Sequence, residues 1–133
     1  MPCRVTWSRL LPLTLVMGSI FFLSHQPGDS LSLPDIVNID KVLHALVYAA
    51  LGLAFLFALS PAWRRQRPVA AVCATVCFCL IYGISDEFHQ SFISGRFSSG
   101  ADLVADAAGG VVAAVSHWQW RRRQMQGGRQ EAR

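Results

Sequence analysis

The chain has 133 residues, 53% of them hydrophobic and only 15% charged, with a formal net charge of +4 and a mean hydropathy of +0.36. It is too apolar for an ordinary soluble domain of this length. The excess positive charge would suit nucleic acid on a soluble face, but the arginines flank apolar runs, which excludes that reading.

Four apolar stretches, 7–24, 41–60, 69–86 and 102–120, are each about long enough to cross roughly 30 Å of hydrocarbon as a helix. They predict an all-α fold: one integral-membrane four-helix bundle over residues 1–120, then a basic cytoplasmic tail over 121–133. That tail is rich in Gln, Gly and Arg and is expected to be loose.

In the first stretch, Arg4 and Arg9 precede the run Leu10 to Leu23, as in a signal peptide. No small-residue cleavage site follows in Ser24-His25-Gln26-Pro27-Gly28, so the segment is expected to be a retained span. Cys3 lies before the run rather than after it, which gives no lipoprotein-type anchoring site.

The second stretch opens with Asp40-Lys41. Asp40, His44 and Tyr48 recur at four-residue intervals and so share one helical face, which Gly52 continues. In the third stretch Cys73, Cys77 and Cys79 offer no C-x-x-C pair and are expected to pack as small hydrophobes. Its far end carries Tyr82-Gly83-Ile84-Ser85-Asp86-Glu87-Phe88-His89-Gln90, where Tyr82, Asp86 and His89 or Gln90 share a face with Glu87 slightly to the side. A carboxylate at mid-membrane costs roughly 2.5 to 3.5 kcal/mol on insertion scales, so such residues imply function.

A loop, Phe92 to Gly100, follows, with three serines, turn glycines and Arg96. The Arg96 fork suits a phosphate or carboxylate, or else a neighbouring Asp86, Glu87 or Asp102. The fourth stretch opens with Asp102 and Asp106 on one face, then Gly109 and Ala113, a small-residue ridge that admits a neighbouring helix. Between the ends, Val72 to Phe78 is apolar apart from Thr75, so no continuous polar path crosses the chain.

Charge sets the expected topology. Ten of the 12 basic residues, namely Arg4, Arg9, Arg64, Arg65, Arg67, Arg121, Arg122, Arg123, Arg129 and Arg133, fall on one side, with Trp7, Trp63, Trp118 and Trp120. The positive-inside rule makes that side cytoplasmic and places both termini there. The other side holds Asp29, Asp35, Asp40, Asp86, Glu87 and Asp102, with Lys41 and Arg96 as its cations.

Asp40-Lys41-x-x-His44-x-x-x-Tyr48, Tyr82-Gly83-x-x-Asp86-Glu87-x-His89-Gln90, Gly95-Arg96 and Asp102-x-x-x-Asp106-x-x-Gly109 together resemble the successive signatures of the VanZ-like membrane proteins. The resemblance covers about residues 24–114. It implies a small, multi-pass protein of the bacterial inner membrane, similar to one linked with resistance to the glycopeptide antibiotic teicoplanin. It supplies no biochemical activity. The chain departs from the family pattern at Ser94, where Pro is frequent, and at Asp106, where Asn is common.

Three functions stay open on these residues. In the first, an outward cleft binds an anionic envelope component such as a lipid-linked precursor. Arg96 and Lys41 would hold its charge, with Asp40, His44, Tyr48, Asp86, Glu87, His89, Gln90, Asp102 and Asp106 around it. In the second, His44 or His89, oriented by Asp86 or Glu87, serves as general base in a membrane-embedded hydrolase or transferase. In the third, the polar groups only hold helices together. A metal held by His44, His89 and an acid has no spacing signature, so neither metal nor cofactor is expected.

Overall fold

A computed structural model describes residues 7–28 and 37–131. Cys3, Arg4, Asp29, Asp35 and Arg133 lie outside the described residues. Among those described the chain is all-helical: α1 (Trp7–Ser24), α2 (Ile39–Ala58), α3 (Pro61–Gln66), α4 (Pro68–Gln90) and α5 (Gly100–Glu131).

Local chemistry sets the helix ends. Pro61 and Pro68 stand in the first turns of α3 and α4, where a missing N–H costs nothing, and Ser60 Oγ accepts from Trp63 N at 3.5 Å. Ser99 Oγ caps α5 by accepting from Ala101 N at 3.2 Å. Asp40 and Asp102 sit in the first turns of α2 and α5, where the helix dipole favours a negative charge.

Three helices, α1, α2 and α4, are long and apolar enough to cross a membrane. The stretch 102–120, expected as a fourth span, forms the first part of α5. That helix falls short of the same hydropathy, because Asp102, Asp106, His117 and Gln119 dilute its apolar residues. Two expectations are corrected. The segment from Arg121 is not loose: α5 continues unbroken to Glu131, since Arg, Gln and Met propagate a helix readily. Of the three cysteines in α4 only Cys79 is buried, while Cys73 and Cys77 are exposed, because they face away from α2 and α5.

Successive long helices alternate in direction. Arg9 of α1 lies over the Phe57 ring of α2, 5.4 Å from its centre. Arg64 Nη1 of α3 lies 3.5 Å from His117 Nε2 of α5. Arg9, Arg64, Arg65 and Arg121 thus gather at one end of the molecule. Burial and the nearby charges of Arg9, Arg121 and Arg65 push the Arg64 pKa below its ordinary value.

α5 makes its most extensive contacts with α2 and then with α4. Small residues allow this. A side chain at Gly109 would run into the Ala45 carbonyl, one at Gly52 would lie 2.8 Å from Ala113 Cβ, and one at Gly110 would lie 2.9 Å from Cys79 Cβ. α1 closes the other side with bulkier groups: Ile20 joins Tyr48, Leu51 and Cys79 in the buried core, flanked by Leu13, Val16 and Met17.

Polarity is inverted relative to a soluble protein. Thr75, Asp86, Glu87, Gln90, Asp102 and Asp106 are buried, whereas Leu15, Phe22, Leu46, Leu53, Ile81, Phe88, Val104 and Val112 are exposed. Large apolar residues outside and carboxylates inside are the arrangement of a membrane protein, where the hydrocarbon is the solvent.

Candidate functional site

At the end remote from Arg9, Arg64, Arg65 and Arg121, α2, α4 and α5 bring their polar residues together. The innermost pair is His44 of α2 and Asp106 of α5. His44 Nδ1 lies 2.9 Å from Asp106 Oδ1, in hydrogen-bonding contact, and Asp106 is fully buried. Gly83 of α4 makes room for this carboxylate: a Cβ there would lie 2.8 Å from Asp106 Oδ2 and 3.1 Å from Leu103 Cδ1.

Glu87, one turn beyond Gly83 on α4, is held from the loop that leads into α5. Ser98 Oγ donates to Glu87 Oε2 at 2.9 Å and Ser99 N at 2.8 Å. Glu87 Oε1 and Asp106 Oδ2 are both buried with no hydrogen-bond partner among the described residues. Each such orphan costs about 1–3 kcal/mol, more when charged. Helix-to-helix polar contacts return only about 0.6 kcal/mol on average, so packing alone is a poor account of this layer.

Asp86 belongs to a second set. Its Oδ2 accepts from Gln90 Nε2 at 3.2 Å and from Tyr48 Oη at 3.5 Å, and Gln90 Nε2 also reaches Ser24 Oγ of α1 at 3.2 Å. Lys41 bridges the starts of two helices, with Nζ 2.7 Å from Asp40 Oδ2 and 3.2 Å from Asp102 Oδ1.

His89 stands apart from His44. Its Nε2 lies 3.2 Å from His25 Nδ1, and its ring packs 4.7 Å from that of Phe21. Neither His44 nor His89 is hydrogen-bonded to Asp86 or Glu87 among the described residues, so the pairings expected for a general base are absent and Asp106 orients His44 instead.

Arg96 follows Gly95, whose positive φ of 74° turns the loop back over α1. Its Nη2 donates to Leu23 O at 2.7 Å and its Nε to Gln26 O at 3.1 Å. No carboxylate lies within ion-pairing distance of Arg96 among the described residues. The alternative pairing with Asp86, Glu87 or Asp102 is therefore not formed.

Between α1 and α2 these groups border a cavity of ≈ 210 Å³. Asp40, His44, Tyr48, Asp86, Gln90, Ser24 and Arg96 form its polar side, and Ile20, Leu23, Leu43 and Val47 its apolar side. The other expected residues are not part of this lining: Lys41 and Asp102 pair at the helix starts, Glu87 and Asp106 gather beside His44, and His89 stands against His25. Sequence reasoning missed Ser24 and His25, because α1 shows no polar periodicity. It also missed the serines that anchor Glu87, because a loop has no repeat to betray its direction.

No curated protein and no solved structure matches the chain. A family model, VanZ/LLP1, matches residues 9–121. That stretch contains every group described in the cavity and its clusters, and the chain belongs to the VanZ/LLP1 family.

Proposed function

We propose that this protein spans the bacterial inner membrane with four helices and both termini in the cytoplasm. Its outward polar cavity binds an anionic, lipid-linked component of the cell envelope and thereby affects susceptibility to glycopeptides such as teicoplanin. The observation that carries this reading is Arg96. Its charge is tethered by two backbone carbonyls, with no acid within ion-pairing distance among the described residues, and it stands at the edge of a cavity whose other wall is aliphatic. Carbonyls aim a guanidinium without cancelling it, which leaves attraction for a phosphate or carboxylate. The aliphatic wall formed by Ile20, Leu23, Leu43 and Val47 suits the first carbons of the attached chain.

Purified protein in detergent should bind farnesyl phosphate more tightly than farnesol or inorganic phosphate, since a ligand needs both halves. Arg96→Gln should weaken that binding by about 1.5–3 kcal/mol, roughly tenfold to a hundredfold. Equal binding of farnesol, or undiminished binding by the variant, would defeat the reading. In cells, Arg96→Gln should shift teicoplanin susceptibility as deletion of the protein does.

A further inference from the structure

We propose that His44, Glu87 and Asp106 form a binding site for one divalent transition-metal ion, buried where α2, α4 and α5 meet. A ring nitrogen of His44 and one oxygen from each carboxylate lie within 4.8 Å of one another. The three residues come from three helices, so their convergence is a product of the fold and not of local spacing.

A cluster of acids alone would mean little, but two observations point to an occupant. Glu87 and Asp106 are 7% and 0% exposed, and each keeps one buried oxygen without a hydrogen-bond partner among the described residues. The other oxygen of each is fixed, Asp106 Oδ1 by His44 and Glu87 Oε2 by Ser98 and Ser99. Carboxylates held on one oxygen and left bare on the other are oriented ligands of the kind a metal requires. Second, Gly83 lacks the Cβ that would press on Asp106 Oδ2, so the space beside the bare oxygen is kept by the sequence.

Charge identifies the occupant. Two carboxylates and a neutral imidazole balance a doubly charged cation. An imidazole donor favours zinc, iron, nickel or copper over calcium, magnesium or manganese, which prefer oxygen. Three protein ligands leave a coordination position open, as in zinc sites that act on a bound molecule rather than those that only brace a fold. His44 also borders the cavity, so the ion would lie behind its floor. The inference does not depend on the anion-binding reading, because Arg96 takes no part in the site.

The test uses the full chain without an affinity tag, in detergent, stripped with chelator and titrated with Zn²⁺ and with Co²⁺. One ion should bind per chain, raise the unfolding midpoint, and give Co²⁺ the visible absorption of a low-symmetry site. Asp106→Asn, Glu87→Gln and His44→Ala should each weaken binding by more than the roughly tenfold to hundredfold that follows loss of a supporting contact. His89→Ala and Arg96→Gln should leave it unchanged. Asp106→Asn and Glu87→Gln keep shape, and the wild-type midpoint shift needs no variant to fold. Absence of a stoichiometric ion in wild-type protein overturns the proposal, and so does binding that survives all three substitutions. An infrared band of a protonated carboxyl, lost in Asp106→Asn or Glu87→Gln but unmoved by Zn²⁺, would also overturn it by showing that a proton fills the role.

Discussion

Gly83 shows how one absent methyl group fixes a buried charge. In an open helix Ala exceeds Gly by about 1 kcal/mol, but a Cβ at Gly83 would crowd both Asp106 Oδ2 and Leu103, and overpacking costs about 1–3 kcal/mol. Gly83→Ala should therefore destabilise the protein, whereas Gly127→Ala, with nothing within 4 Å, should stabilise it by up to about 1 kcal/mol. Unfolding curves in mixed micelles check both signs. At this scale the sequence was legible only along each helix. The four-residue spacing of Asp40, His44 and Tyr48 placed all three beside one cavity. The partner of His44 depended on how α2 and α5 rotate against each other, which no spacing within either helix determines. Arg96 was readable as a cation for an acid, yet it donates to carbonyls. Every residue has a carbonyl, so no residue type announces such an acceptor.

Among the helices, α2 and α5 are joined by a seam of small residues. The ridge of Gly109 and Ala113 was visible in the sequence, and its mate proves to include Ala45, Ala49 and Gly52. Without a hydrophobic drive between helices in lipid, close approach and dispersion must hold such a seam. Gly109→Leu should cost at least about 3 kcal/mol, the upper end for overpacking, and abolish accumulation of folded protein. Gly18→Leu, in open space on α1, should accumulate as wild type, and size-exclusion profiles of the two variants make the comparison. The helical reach of α5 was harder to foresee. Its last turns are polar all round, so composition suggested a loose tail, whereas the intrinsic helix preference of Arg, Gln and Met carries the helix on to Glu131.

For the whole molecule, α5 decides how many times the chain crosses the membrane. Four crossings place Ser60 and Arg123 on the cytoplasmic side and Gly28 outside. Reporter fusions at these three points should give that pattern, and an exterior signal at Arg123 would leave three crossings with α5 turned outward. Within this architecture α1 is held in an unusual way. Tyr82 Oη donates to Met17 O at 2.7 Å, and Arg96 donates to Leu23 O and, just past the helix end, to Gln26 O; Ser24 and the following His25 supply the side-chain contacts to the rest of the site. A carbonyl is the same whichever residue bears it, so most of α1 can change its side chains without losing its anchors. Saturation mutagenesis scored for folded protein should find α1 permissive to apolar exchange except near Ile20 and Ser24, while the donor Tyr82 tolerates little. Selection would then record the docking of this helix in the residues that grip it, leaving α1 itself free to drift.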